Sequence, residues 1–84
     1  MVSKIHVTVL YFAQIHEITK VKREIMELSE NALIKNLLSM ILTRYPDIKY
    51  IKNIKVSVNY EIVNPNTILN DNDEVALLPP ISGG

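Results

Sequence analysis

Cysteine is absent from the sequence, which excludes a disulfide framework, a thiol nucleophile and a cysteine-ligated zinc site. An excess of one charge is also missing, because nine Lys and Arg residues balance nine Asp and Glu residues. This balance gives no electrostatic reason to expect a nucleic acid or an anionic membrane as a partner. No apolar run approaches the roughly 20 residues that span a bilayer, and residues 1–4 lead straight into a strand pattern without a signal-peptide segment. We therefore expect a cytoplasmic protein.

Glycine is missing from every internal turn, and the two glycines of the sequence are its last two residues, Gly83 and Gly84. A chain of average composition carries roughly 7% glycine, spread through its turns. Glycine suits backbone that must pass close to another surface, because it has no Cβ to clash. Since Pro79 and Pro80 precede the pair, we expect residues 79–84 to form an extended, flexible tail. The reactive group of that tail is the α-carboxylate of Gly84, and we interpret it as the group that carries out the function of the protein.

Apolar side chains are plentiful enough for one core, since 48% of the 84 residues are hydrophobic. That content is too high for an intrinsically disordered chain, and the length suits one small domain. The sequence contains no internal repeat and no linker. We therefore predict a single domain over residues 1–84.

Runs rich in β-branched and apolar residues predict five strands, at residues 4–12, 22–28, 55–58, 60–63 and 74–79. In the first strand one face carries Ile5, Val7, Val9 and Tyr11, and the other carries His6, Thr8, Leu10 and Phe12. Both faces are apolar at the end of this strand, so we expect it to be central in the sheet. Antiparallel pairing with the second strand is expected for such close neighbours.

One main helix is predicted over residues 31–45. Its apolar stripe consists of Ile34, Leu37, Leu38, Ile41, Leu42 and Tyr45, at the spacing of one helix face. Pro46 ends the helix, whereas Ser29 and Asn31 could each cap its start. A helix across a mixed sheet of four to five strands is the α+β arrangement that fits this order of elements. We place the first and last strands side by side in the middle, so that the tail leaves beside Phe12.

A possible partner surface follows from this arrangement. Phe12 and Leu78 alternate with the inward-facing Tyr11 and Leu77, so they fall on the sheet face that the helix does not cover. Together with Leu10 and Ile62 they form the expected partner-binding patch, because exposed apolar patches mark such surfaces. The alternative, that these side chains are buried under a loop or cap the core, stays open at this point.

Other polar residues are predicted to be structural. His6 and His16 have no carboxylate or second histidine at ligand spacing, so we expect surface histidines and no metal site. Asp71, Asp73 and Glu74 resemble a fragment of a calcium loop, but the fixed glycine and the terminal Glu of that loop are missing. We predict that they are turn residues. Ser82 has no evident general base that could make it a nucleophile, so we interpret it as a polar residue of the tail.

Short motifs occur in a fixed order along nearly the whole chain, from about residue 7 to residue 84. They are Tyr11-Phe12-Ala13 with Glu17, Leu37-Leu38, Tyr45-Pro46, Val58-Asn59, Leu69, residues 73–76, and Pro79-Pro80-Ile81-Ser82-Gly83-Gly84. Each motif alone is weak, whereas the ordered set with a terminal diglycine is specific. By these motifs the sequence resembles the small, sulfur-carrier subunit of molybdopterin synthase.

This resemblance implies a ubiquitin-like β-grasp fold and a carrier that is not catalytic by itself. In that family an ATP-dependent enzyme adenylates the terminal glycine, here Gly84, and a sulfur donor converts it to a thiocarboxylate. The carrier then docks on the large subunit, in a heterotetramer, and sulfurates cyclic pyranopterin monophosphate for the molybdenum or tungsten cofactor. No permanently bound cofactor is implied, since ATP is used by the activating enzyme. The resemblance places docking contacts at Phe12, Ile62 and Leu78.

The tail residues of this family must enter two different enzyme sites. Gly83 and Gly84 keep the end narrow, and Pro79 and Pro80 lower the entropy lost on insertion. We therefore expect the whole tail, including Ile81 and Ser82, to contact partners.

The sequence departs from the family pattern at three positions. Asn72 replaces the usual glycine before residues 73–75, and asparagine tolerates the left-handed conformation, so the turn is expected to persist. Tyr60 stands where a small or polar turn residue is common. Leu33 stands where a threonine helix cap is common, which leaves the start of the helix less defined.

Two further functions are compatible with the same tail chemistry. One is a ubiquitin-like protein modifier, joined through Gly84 to lysines of target proteins. The other is the related sulfur carrier of the thiazole pathway, although those chains are usually shorter and lack the Pro-Pro pair before the diglycine.

Overall fold

Five strands, two helices and one 3₁₀ helix form in the computed structural model, which describes residues 3–80. The predicted tail residues Ile81, Ser82, Gly83 and Gly84 lie outside the described residues. The elements in chain order are β1 (Lys4–Tyr11), α1 (Ala13–Thr19), β2 (Arg23–Ser29), α2 (Ile34–Arg44), the 3₁₀ helix (Pro46–Tyr50), β3 (Lys55–Val58), β4 (Glu61–Val63) and β5 (Glu74–Leu78). The α+β class and the five strands that were predicted are thereby confirmed.

The sheet has the strand order β2-β1-β5-β3-β4, with β1 and β5 parallel and all other neighbours antiparallel. The first and last strands are adjacent in the middle of the sheet, as predicted. Because β5 runs beside β1 in the same direction, with Tyr11 opposite Leu77, the chain leaves the sheet beside Phe12.

One face of the sheet forms the core. The odd-numbered residues of β1 pack with β5 residues Val75 and Leu77 and with buried residues of both helices in one cluster. Its fully buried larger members are Val7, Val9, Ile15, Ile34, Leu37, Ile41, Leu69, Val75 and Leu77. At about 1.5–3 kcal/mol for each buried aliphatic side chain, this cluster is the main favourable contribution to folding.

Helix α2 begins at Ile34, three residues later than predicted. Asn31 has φ 70°, the left-handed conformation, and Leu33 is extended, so neither residue can belong to a right-handed helix. The Asn36 side chain caps this start, because its Oδ1 accepts a hydrogen bond from the Leu33 N–H at 2.8 Å. The prediction that Leu42 belongs to the buried stripe is wrong: it is 40% exposed. It lies about 80° around the helix from Ile34, at the edge of the stripe.

Two turns form without glycine. Asn59 and Tyr60 both have positive φ, 48° and 76°, which is the type I′ geometry of a two-residue β-hairpin. The side chain of Tyr60 is 90% exposed, so burial does not offset the cost of this conformation. Asn72 has φ 70°, which confirms that asparagine keeps the left-handed turn there.

The 3₁₀ helix was not predicted, because Pro46 reads only as a stop signal. Proline is favoured in the first turn of a new helix, and Pro46 begins this one while it ends α2. Among residues 3–80, neither helix has the length and apolar content that crossing a bilayer requires.

Candidate functional site

The open face of the sheet carries the predicted apolar patch, which consists of Leu10, Phe12, Ile62 and Leu78. Phe12 is 45% exposed and Ile62 is 59% exposed, whereas Leu10 and Leu78 are half-buried. These side chains therefore neither join the buried core nor lie hidden under a loop. The alternative that these side chains are buried under a loop or cap the core is therefore excluded for Phe12 and Ile62.

Strand register brings the patch together from three parts of the chain. Leu10 is opposite Ala76, Ala76 is opposite Ser57, and Ser57 is opposite Ile62, so one row crosses the sheet from β1 to β4. Ala76 and Ser57 are small and buried, so they form a shallow floor between the larger ends of the row. Leu78 lies two residues beyond Ala76 on β5, and Phe12 directly follows the end of β1.

A concavity of about 870 Å³ lies where the chain leaves the sheet. Its described lining residues are Phe12, Ala13, Gln14, Asn53, Lys55, Leu78, Pro79 and Pro80. Four of the predicted partner-binding residues, Phe12, Leu78, Pro79 and Pro80, therefore share one surface at the root of the predicted tail. Lys55 is the one charged side chain among the described residues that line it, and it was not predicted as a site residue.

A polar cluster around Glu24 ties the end of β1 to β2 and to the end of α2. Glu24 accepts hydrogen bonds from the Tyr11 hydroxyl at 2.5 Å, the Tyr45 hydroxyl at 2.9 Å and the Arg44 guanidinium at 2.6 Å. The rings of Tyr11 and Tyr45 pack edge to face, with centroids 5.8 Å apart. This cluster joins β1, β2 and α2 directly behind the patch.

The sequence contained one signal of this cluster that was missed. Glu24 is in phase with Met26 and Leu28, which face the core, so a carboxylate at that position needs partners. Burial raises the pKa of Glu24, but the hydrogen bonds from Tyr11, Tyr45 and Arg44 outweigh it and hold the pKa below the ordinary 4.5. Burial and the hydrogen bond to Glu24 raise the pKa of Tyr11, so its phenol stays protonated.

Glu24→Gln is expected to lower the free energy of unfolding by about 1–3 kcal/mol at neutral pH, because three donors then lose their charged acceptor. Urea denaturation measures the change. Glu61→Gln on β4 is the control, since that residue is exposed, and its loss should cost less than about 1 kcal/mol.

The effect of Glu24→Gln should depend on pH. The folded-state pKa of Glu24 is lower than the unfolded value, so the folded protein binds this proton less tightly. The stabilisation is therefore complete above about pH 5 and is lost as pH falls through the lowered pKa. The difference between wild type and variant should shrink in acid, and a constant difference down to about pH 2 would contradict the assignment.

The remaining polar residues have structural partners. His6 Nε2 lies 3.1 Å from Glu27 Oε2, because strand pairing places Glu27 directly across from it. The side chain of His6 is 54% exposed, so His6 is a surface histidine, as predicted. The carboxylate oxygens of Asp73 accept hydrogen bonds from the Asn59 amide and the Asn70 N–H. Asp71 accepts one from the His6 N–H. Asp71 and Asp73 are turn residues, as predicted, whereas the same prediction for Glu74 is wrong, because Glu74 is the first residue of β5 and pairs with Thr8.

Asn59 has a role beyond the turn that it forms with Tyr60. Its side-chain Nδ2 donates to Asp73, and its Oδ1 accepts from the Glu74 N–H at 3.0 Å. One amide thereby ties the β3–β4 hairpin to the start of β5. Among residues 3–80, no group of three or more His, Cys, Asp or Glu side chains is arranged to hold a metal ion.

Comparison with known sequences gives matches over nearly the full length. The ThiS family profile matches residues 9–84. A molybdopterin synthase sulfur carrier subunit of Chlamydomonas reinhardtii is 37% identical, covering 93% of this chain and 98% of its own length. The human protein of that name is 38% identical, with both chains covered completely.

Solved structures agree with the fold. Small archaeal modifier protein 1 of Haloferax volcanii superposes with a TM-score of 0.85 at 22% identity, over 94% of this chain and 99% of its own. The protein of the same name from Methanosarcina acetivorans gives 0.79 at 26% identity, over 98% and 99%. A chain in the complex of subunits 1 and 2 of Helicobacter pylori molybdopterin-converting factor gives 0.65 at 27% identity, over 95% and 100%. The predicted ubiquitin-like β-grasp fold is confirmed.

Proposed function

The chain belongs to the ThiS family, and from this membership we propose that it is the sulfur-carrier subunit of a molybdopterin synthase. The observation that carries the proposal is the match to curated relatives of that name, over at least 93% of this chain and 98% of theirs. The resemblance that the sequence motifs predicted is thereby confirmed at the level of the family.

The carrier chemistry is proposed to take place at Gly84. An oxygen of its α-carboxylate attacks the α-phosphorus of ATP on the activating enzyme, and pyrophosphate leaves. The resulting acyl adenylate has a good leaving group, which a free carboxylate lacks. Hydrosulfide supplied by the sulfur donor then adds to the acyl carbon and AMP leaves, so a C–O bond is exchanged for a C–S bond and Gly84 ends in a thiocarboxylate. The protein itself holds no cofactor in this scheme, and ATP is used by the activating enzyme.

Docking on the large subunit is proposed to use the apolar patch and the tail. The patch and the concavity at the root of the tail are continuous through Phe12 and Leu78. A partner that covers this surface therefore meets the chain at the point from which the tail departs. The Helicobacter pylori complex of subunits 1 and 2 supports a large-subunit partner, and a heterotetramer is the expected assembly. Pro79 and Pro80 restrict the backbone there, which reduces the entropy that insertion costs.

Reconstitution tests the proposed function. The purified chain is combined with a molybdopterin synthase large subunit, an adenylating enzyme, ATP and a sulfur donor, and the loss of cyclic pyranopterin monophosphate is measured. Product is expected only when all components are present. The human sulfur carrier replaces this chain in a parallel mixture as the control. The test is repeated with large subunits from more than one source. The proposal would be contradicted if the human carrier gave product with them and this chain gave none.

A protein modifier is the second candidate function. It is favoured by the structural match to Methanosarcina acetivorans small archaeal modifier protein 1, at 26% identity. In a modifier, the amine of a target lysine attacks the acyl carbon of Gly84 and AMP leaves. An isopeptide bond is thereby formed instead of a C–S bond. Conjugates of higher mass that vanish when Gly84 is deleted would support this function. A carrier alone gives no such conjugates.

A further inference from the structure

Strand β2 is a free edge of the sheet, and its outer side is open to pairing. It stands at the end of the strand order and pairs with β1 alone among the described strands. An edge strand presents a row of unpaired N–H and C=O groups that can accept another strand. Ile25, in the middle of β2, is 69% exposed.

The β1–β2 ladder decides which residues of β2 face that edge. The Tyr11 N–H donates to the Lys22 carbonyl at 2.9 Å, and the Glu30 N–H donates to the Ser3 carbonyl at 2.9 Å. In an antiparallel pair, hydrogen-bonded positions alternate, so the even-numbered residues of β2 bond to β1. The backbone groups of Arg23, Ile25 and Glu27 therefore point outward, to the free edge.

We propose that this edge binds a second copy of the chain, through antiparallel β2–β2 pairing about a two-fold axis at Ile25. In this register Ile25 is opposite Ile25 of the partner, and Arg23 is opposite Glu27 of the partner, twice by symmetry. All three positions have outward-facing backbone groups, so the pairing forms six backbone hydrogen bonds. The side chains of all three lie on the open face of the sheet, opposite the core face that Met26 and Leu28 occupy.

Charge selects this register over its neighbours. A two-fold axis at Arg23 would place two guanidinium groups opposite each other, and an axis at Glu27 would do the same with two carboxylates. A two-fold axis at Glu24 would place Ile25 opposite Arg23 of the partner, and an axis at Met26 would place it opposite Glu27 of the partner. The axis at Ile25 is the one within residues 23–27 that matches an apolar pair with two opposite-charge pairs, which are the favourable cross-strand combinations.

The proposed dimer leaves the docking surface accessible. Strand β1 separates β2 from β5, and β3 and β4 lie further away, so pairing at β2 does not cover Leu78 or Ile62. Each copy would therefore keep Leu78 and Ile62 of its own patch accessible. The inference is therefore independent of the proposed function, and a monomeric chain would leave that function unaffected.

Sedimentation velocity over a concentration series tests the proposal on the full chain. We expect a monomer–dimer equilibrium, weakened at least about tenfold by Arg23→Glu or by Glu27→Arg, because each change places like charges opposite each other twice. The double variant Arg23→Glu/Glu27→Arg should restore association to within about threefold, since the pairs are then opposite again. Lys52→Glu, an exposed charge reversal outside β2, is the control and should leave association unchanged.

Amide hydrogen exchange gives a residue-specific second measurement. The amides of Arg23, Ile25 and Glu27 should exchange more slowly as concentration rises, whereas those of Glu24 and Met26, already bonded to β1, should change little. A chain that sediments as a monomer throughout would overturn the proposal. So would a dimer that is insensitive to Arg23→Glu, or one whose protected amides lie outside β2.

Discussion

Deletion of Gly84 is expected to abolish sulfuration of cyclic pyranopterin monophosphate, with a loss of about a thousandfold or more, while the free energy of unfolding stays unchanged. The reacting carbonyl carbon is removed from the position that both enzymes must reach. The described core runs from Ile5 to Leu77, so its packing does not depend on Gly84. The reconstituted reaction measures the first quantity, and urea denaturation the second.

A one-residue extension beyond Gly84 tests whether the reaction needs the terminal carboxylate at position 84 or needs only a terminal carboxylate. The extended chain keeps a terminal carboxylate but moves it by one residue and adds a side chain. It should be as inactive as the deletion, because a narrow end is what the two glycines provide. Product formation at the wild-type rate, with the extra residue still attached, would show that Gly84 is not the reacting residue.

Replacement of Leu78 by Asp is expected to weaken binding to the large subunit about a hundredfold. An unpaired carboxylate would be buried in the apolar centre of the proposed interface, at a cost of several kcal/mol. Phe12→Ala should weaken binding about tenfold or more, as aromatic side chains at interface centres usually do. Calorimetric titration of the large subunit measures both affinities.

The matched control for the docking prediction is Tyr50→Asp. Tyr50 is also an exposed apolar side chain, at 72%, but it lies on the 3₁₀ helix and outside the patch. It should leave the affinity for the large subunit unchanged. Because Leu78 is half-buried, circular dichroism must show that Leu78→Asp is folded. Equal affinities for wild type, folded Leu78→Asp and Phe12→Ala would exclude the patch as the docking surface.

Much of the fold could be predicted because strand periodicity is a local signal. Alternation with period two assigned Tyr11 and Leu77 to the core and Phe12 and Leu78 to the open face, and the structure places them so. These side-chain assignments depend on neighbouring residues alone and need no knowledge of distant contacts. The central position of β1 was expected because both of its faces are apolar at its end, and the structure confirms that β5 lies beside it.

The features that escaped prediction depend on distant contacts or on backbone conformation. Glu24 has its partners on β1 and α2, and its pairing with Arg44 and Tyr45 spans about twenty residues of sequence. The proximity of His6 to Glu27 depends on strand register, which spacing along one strand does not reveal. The late start of α2 follows from the left-handed conformation of Asn31, a state that asparagine tolerates but does not require.

The carboxylate of Gly84 is proposed to accept a sulfur atom, and intact-mass measurement tests this most directly. The chain is incubated with an activating enzyme, ATP and a sulfur donor, and the modified residue is located by fragmentation. A gain of about 16 Da at Gly84, the exchange of oxygen for sulfur, is predicted only when all three are present. An unchanged mass, in a mixture that converts a known carrier such as the human protein, would contradict the account.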